Sequence, residues 1–237
     1  MRALALLALS LLASPAAAHG GWGRGIAGDG KPTTERREVP PFEAVRLEAP
    51  VDVSVAVGPD ASVAVTIDGN LQAHLETRVE RGTLVIDLRE AVRPRREARV
   101  EISVPALRRF EVAGSGDAVI TGGSGPIELS VEGSGDLAWR GEATTLRAEL
   151  EGSGDIRLEG RADSLVADVE GSGDIDARGL AAGDVRARVE GSGDMELRVA
   201  GGRLDAAVEG SGDIRWRGEA RQEQIVVRGS GDVRRAR

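Results

Sequence analysis

Cysteine and tyrosine are absent from this 237-residue chain, and two Phe and three Trp are its only aromatic residues. Without cysteine, no disulfide can staple the fold and no lipidated cysteine can anchor it. So few rings also exclude a rounded core of ordinary make-up, which draws on bulky aromatic side chains. Long apolar runs are missing too. The one run, residues 3–12, is broken by Ser10 and is too short to span a bilayer comfortably. It follows the positive start Met1-Arg2 and precedes Ala16-Ala17-Ala18, the pattern of a signal peptide over residues 1–18 with His19 as the first exported residue. Basic charge is in deficit, with 31 Lys and Arg against 39 Asp and Glu. Loss of residues 1–18 removes one Arg and no acid, making the net charge of −8 one unit more negative. Nucleic acid is therefore excluded as a partner, because phosphate binding needs a basic surface. These absences together describe an exported protein of the periplasm or cell surface, not membrane-spanning once its signal is removed.

Glycine is what the chain has in abundance, at 33 residues. Residues 19–41, "HGGWGRGIAGDGKPTTERREVPP", are Gly-rich and then charged with no apolar period, and are expected as a flexible leader. Residues 42–110 change character. "VRLEAPVDVSVAVG", "ASVAVTIDG", "TLVIDL" and "ARVEISVP" alternate apolar with polar residues between Gly, Pro and Asp, the period of β-strands. "GNLQAHLETRVERG" reads as either a helical turn or another strand.

From residue 111 a repeat takes over. Gly-Ser-Gly-Asp begins at Gly114, Gly133, Gly152, Gly171, Gly191, Gly210 and Gly229, at spacings of 19, 19, 19, 20, 19 and 19. A fixed period near twenty marks a solenoid. One and three residues after the Asp come apolar or small positions such as Leu137 and Trp139, Ile156 and Leu158, and Ile214 and Trp216. A second alternating stretch follows, as in Leu146, Ala148 and Leu150. No 3.6-residue period appears, so each repeat is two or three short strands joined by Gly-bearing corners. The fold class is all-β, a single-stranded parallel β-helix with one coil per repeat. Seven coils at ~4.8 Å would run about 34 Å. Trp139 and Trp216 share one inward register four coils apart, and the extra residue of the longer interval is expected in a loop at Val199 to Gly202. Residues 42–110 would supply the first coils or a cap, and the three Arg of the terminal "DVRRAR" would repel a second copy, favouring a monomer.

The corner has a purely conformational reading. Gly permits positive φ and close packing, while Ser and Asp accept hydrogen bonds from nearby N–H groups. Stacking also lines up Asp117, Asp136, Asp155, Asp174, Asp194, Asp213 and Asp232, with Glu132, Glu151, Glu170, Glu190 and Glu209 four residues before the five internal Asp. Like charges about 5 Å apart repel by about 1 kcal/mol even in water, so N–H donors or cations must offset the two columns. Ca²⁺, which prefers several hard oxygens, is the candidate ion, and Glu132/Asp136, Glu151/Asp155, Glu170/Asp174, Glu190/Asp194 and Glu209/Asp213 are its candidate rungs. The nine-residue Gly-Gly-x-Gly-x-Asp calcium roll is not matched, in either period or order. No cofactor is called for. Arg140, Arg178, Arg198 and Arg217 form a further column, interrupted by Glu159 and read as a solvated face of mixed charge.

Catalysis finds no constellation. The repeated carboxylates lack the singularity of a catalytic pair, His19 falls in the leader, and His74 has no nucleophile near it in sequence. "GSGD" lacks the Lys and the following helix of a phosphate loop. The stretches "FEAVRLEAPVDVSVAVG", "LETRVERGTLVIDL" and "VEISVPALRRFEVAGSGDAVI", with the Gly-Ser-Gly-Asp run after them, resemble the head GIN domain family of putative auto-transporter adhesins over residues 42–232. The resemblance implies a right-handed β-helix and a non-catalytic, adhesin-like binding or scaffolding role in the bacterial envelope. An envelope glycan or a surface protein is then the expected partner. A structural solenoid with a cation-filled acidic ladder is the alternative, and a carbohydrate-active enzyme stands third.

Overall fold

The computed structural model describes residues 25–236, so the expected signal peptide and His19 lie outside the described residues. Each tandem repeat folds as one coil. Strands β1 (Ile26–Ala27), β2 (Pro32–Arg36), β3 (Ala44–Leu47), β4 (Asp52–Val57), β5 (Ser62–Asp68), β6 (Leu75–Glu80), β7 (Thr83–Leu88), β8 (Val92–Arg93) and β9 (Arg99–Val104) build the N-terminal part. The solenoid continues through β10 (Arg109–Gly114), β11 (Ala118–Thr121), β12 (Ile127–Gly133), β13 (Leu137–Gly152), β14 (Ile156–Gly171) and β15 (Ile175–Gly191). It ends in β16 (Met195–Ala200), β17 (Arg203–Gly210), β18 (Ile214–Glu219), β19 (Gln222–Gly229) and β20 (Val233–Arg235).

Every pairing from β10 onward is parallel and advances by one coil, giving a parallel β-helix of about seven turns. Alternation puts one residue type inside at each level. Leu137, Ile156, Ile175, Met195 and Ile214 stack in one inward column, and Val131, Leu150, Val169, Val189 and Val208 in another, all buried. Stacked aliphatics fill a narrow bore at near-crystalline density, which is why this core needs so few rings. Trp139 and Trp216 are both buried in the shared register, and the Trp139 indole N–H has no partner there.

The extra residue of the longer interval is not in a loop at 199–202. The β14–β15 register slips between Arg157 and Glu159, where Asp176 and Gly179 are the partners. A β-bulge at Ala177–Arg178 therefore absorbs it, keeping Ala177 inside and placing Arg178 in solvent.

The N-terminal end is closed by a change of pairing. β3 and β4 stack in parallel under β10 and β11, and β7 and β9 stack in parallel under them. β6 then turns back antiparallel on β7, β5 antiparallel on β9, and β2 antiparallel on β5. The ambiguous "GNLQAHLETRVERG" is both things in turn, a 3-10 turn at Gly69–Leu71 followed by β6. Part of the expected flexible leader is also built into the fold. β2 is an edge strand made of polar residues, a composition that hides strand signal because nothing covers its faces. Buried Gln72 fixes it, with Nε2 donating to the Thr33 carbonyl at 2.7 Å and Oε1 accepting from Arg37 at 2.8 Å.

Among the described residues, no antiparallel strand closes the C-terminal end in this way. Arg234 and Arg235 are turned back onto their own solenoid. Arg234 lies 3.7 Å from Asp213, and the Arg235 guanidinium sits 5.1 Å from the centre of the Trp216 ring. Beside them β19 is exposed along its whole length.

Coil stacking leaves no space for a side chain at the second corner glycine. A Cβ on Gly173 would lie 2.0 Å from the Gly154 carbonyl oxygen, whereas one on Gly58 would meet nothing within 4 Å. Gly173→Ala is expected to cost about 2 kcal/mol or more and Gly58→Ala close to nothing, read from urea unfolding midpoints.

Candidate functional site

The repeated corner is the candidate site, and its backbone explains three of its four residues. The first Gly of the six later copies has φ between +125° and +135°, where a side chain is strained. Its carbonyl accepts two N–H groups from the next coil, as Gly133 does from Ser153 at 2.9 Å and Gly154 at 3.3 Å. The second Gly is forced by the close approach described above. The Asp side chain continues the stack. Asp136 N–H donates to Asp117 Oδ1 at 2.9 Å, and the same bond recurs on Asp155, Asp174, Asp194, Asp213 and Asp232 at 2.7–3.1 Å. Each carboxylate from Asp117 to Asp213 thus receives an N–H donor that offsets its neighbour's charge.

Serine is the exception. Expected as an N–H acceptor, its hydroxyl makes no hydrogen bond at any of the seven copies among the described residues, and Ser115, Ser134, Ser153, Ser172, Ser192, Ser211 and Ser230 are all placed at the surface by the corner. They form a column of free hydroxyls between the Glu and Asp columns.

The Asp column has one more rung than the motif count implies. Ala118 pairs with Val53, which places Asp52 beside Asp117 one coil earlier. "EAPVD" stands there in place of "EGSGD", and the conserved spacing from Glu48 to Asp52 is the signal that was available in the sequence. Burial pushes the Asp52 carboxyl above its ordinary value, with the Glu97 carboxyl and the Asp117 charge adding to it and the Asp117 N–H opposing.

Beside the Asp column runs a groove of about 550 Å³ floored by the outward row Val119, Ala138, Arg157, Asp176, Glu196 and Arg215. Its C-terminal half is ion-paired. Arg215 reaches Asp194 at 3.1 Å and Asp213 at 2.8 Å, and Arg178 bridges Asp176 at 2.7 Å and Glu196 at 2.9 Å. The Arg178 hydrogen bond holds the Asp176 carboxyl below its usual range. In the N-terminal half, Asp117, Asp136, Asp155 and Asp174 have no salt bridge among the described residues, and they face exposed Val119 and half-buried Ala138.

The Glu column stacks from Glu132 through Glu151, Glu170 and Glu190 to Glu209, which is closed by Arg228 at 2.7 Å. Among the described residues, no three His, Asp or Glu side chains converge as metal ligands. The Glu/Asp rungs named from the sequence are therefore brought into columns but not into cages. The Arg column is broken up: Arg140 pairs with Glu159, Arg178 stands on the bulge, and Arg217 donates to the Arg178 carbonyl at 2.7 Å. His74 Nδ1 lies 2.9 Å from the Glu90 carboxylate, away from the corner.

A family model described as putative auto-transporter adhesin, head GIN domain, matches residues 41–220. The chain belongs to this family. A putative adhesin from Bacteroides fragilis has the same fold, with a TM-score of 0.84 and 24% identity over 90% of this chain and 100% of its own. A putative adhesin from Parabacteroides distasonis superposes with a TM-score of 0.71 at 25% identity, covering 89% of this chain and 99% of its own. A protein of the same organism called a putative lipid binding protein gives 0.76 at 23% identity, over 90% and 99%. No curated protein matches.

Two stability results follow from the corner. Asp155→Asn keeps the acceptor and removes a charge, so urea unfolding should show it no less stable than the parent. Asp155→Ala strands the Asp174 N–H and should cost about 1 kcal/mol. At Asp52 the folded-state value is raised, so its favourable contribution is present below the unfolded value and is lost as pH rises through the folded one. Asp52→Asn should accordingly melt higher than the parent at pH 7, and the gap should narrow toward about pH 3, where Asp52 is largely protonated in both the folded and the unfolded state.

Proposed function

We propose that the protein is an exported, non-catalytic binding module of the bacterial envelope, and that the Ser column with its flanking Glu and Asp columns is the face that meets a polyhydroxylated glycan. One observation carries this reading. Gly and Asp are accounted for by the backbone of the corner, whereas seven exposed Ser hydroxyls do nothing for the fold. Hydroxyls flanked by carboxylates offer alternating donors and acceptors at a repeat of ~4.8 Å. A polymer of sugars presents hydroxyls at a similar repeat, and many weak contacts add up when each one recurs.

Membership in a family of putative adhesins supports a binding role in coarse terms and supports no reaction. Export rests on the N-terminal signal pattern and the family, and among the described residues no helix is long and apolar enough to cross a membrane. The cation-filled alternative loses its motive where Asp117 through Asp213 already receive an N–H, and Arg215 and Arg234 lie against Asp213.

The test uses the triple variant Ser134→Ala/Ser153→Ala/Ser172→Ala on an array of envelope and extracellular polysaccharides. The parent is expected to bind at least one neutral polymer in the presence of EDTA. The variant should keep the parental melting temperature and lose at least ~10-fold in affinity, about 1.4 kcal/mol. Undiminished binding by the variant, or binding by the parent that vanishes in EDTA, would contradict the reading.

A further inference from the structure

We infer that β19 is a self-complementary docking strand through which two copies of this chain join end to end. The inference is independent of the glycan face. In every earlier coil the inward row of this sheet is covered by the next coil, so Ala206 and Val208 are fully buried. Their ladder partners Ile225 and Val227 are 42% exposed each, and outward Val226 is 38% exposed. Apart from Val119, these three are the exposed large apolar residues of the described chain. Among the described residues, β19 pairs with β17 on one side and with nothing on the other. An unpaired edge carrying an exposed apolar row is a template for another strand.

The occupant is argued from the strand's own sequence, "QEQIVVRG". A two-fold axis perpendicular to the sheet pairs β19 with itself antiparallel and keeps inward rows inward. With the axis at Val226, that residue faces its own copy and Ile225 faces Val227, so the apolar row of β19 continues from one molecule into the next. Outward Gln224 then faces Arg228, a donor against an amide acceptor. The only inward charge, Glu223, falls at the end of the pairing opposite Gly229. No like charges are opposed. Sliding by two residues in one direction sets Val227 against Glu223, and in the other sets Val226 against Arg228. A one-residue slip turns the apolar row outward.

Among the described residues, the other end of the solenoid does not offer a matching surface. Its edge strands are β2, which is exposed, polar and begins with Pro32, and β6, which carries Glu76, Arg78 and Glu80. A closed dimer is therefore favoured over head-to-tail growth. Arg234 is turned onto Asp213, and Arg235 lies on the inward row of β20 over the Trp216 ring, so the joint is carried by β19 and not by β20.

The absence of native cysteine makes the test clean. Directly opposed residues of an antiparallel pair have Cα atoms about 4.5–5.5 Å apart, within the span of a disulfide. Purified Val226→Cys should cross-link to a covalent dimer under mild oxidation, and Gln224→Cys/Arg228→Cys should do the same. Gln224→Cys alone, which stands four residues from its copy, should not. Sedimentation equilibrium of the parent should show a monomer–dimer equilibrium, and Val226→Lys should raise its dissociation constant at least ~10-fold with the melting temperature of the monomer unchanged. A parent that stays monomeric at every concentration, whether β19 stays bare or another segment covers it, would overturn the inference. So would open-ended polymers, or cross-linking as efficient through Gln224→Cys as through Val226→Cys.

Discussion

Contact between backbones of successive coils at the corner governs the rest of this structure. A parallel β-helix can keep its bore narrow only if the chain turns sharply at the same place in every coil and the turns nest. Here the nesting brings the second corner glycine so close to the carbonyl below it that no Cβ fits, and the first glycine adopts a φ that side chains avoid. The Asp one step further then ties each turn to the next through Oδ1 and N–H. Once the corners are stacked, the strands on either side are in register without further instruction. The inward columns become ladders of like aliphatic residues, and the polar columns become rows on the surface.

The same stacking creates the electrostatic problem and most of its solution. Carboxylates one strand spacing apart repel, but the backbone donor aimed at each Asp below the last coil costs nothing extra because the turn already points it there. Toward the C-terminal end guanidinium groups take over, with Arg215, Arg178 and Arg228 reaching acids on their own or the neighbouring coil. The N-terminal half of the groove is left with bare carboxylates beside Val119 and Ala138, and the Ser column runs the whole length. A surface of this kind suits a ligand that repeats, not a small molecule in a pocket.

Much of this was legible in the residues. The period of Gly-Ser-Gly-Asp fixes the coil, and the positions one and three after each Asp name the bore, because both signals are local and recur. What escaped has physical reasons. β2 shows no apolar period because it is an edge strand whose Pro32–Arg36 side chains all face solvent. The long interval's extra residue is expected at 199–202 because Gly201-Gly202 looks like a loop, whereas the bulge at Ala177–Arg178 is followed by Gly179, which stands five residues after its Asp as in other coils and so looks regular. Asp52 was missed because its corner is Ala-Pro-Val and not Gly-Ser-Gly, the coil beneath it having a different path. The serine hydroxyls looked like turn acceptors, since that is their usual use in isolated turns. In a stacked corner the Gly carbonyls and the Asp carboxylates already take the available N–H groups.

Site-resolved amide hydrogen exchange on the native protein tests the central claim most directly. If stacked corners hold the solenoid together, the N–H groups of Ser153, Asp155, Ser172 and Asp174 should exchange as slowly as those of Leu150 and Val169, despite their position at the surface, and should open together with those strands. Corner amides that exchange at the rates of an open loop while the strands stay protected would contradict the account.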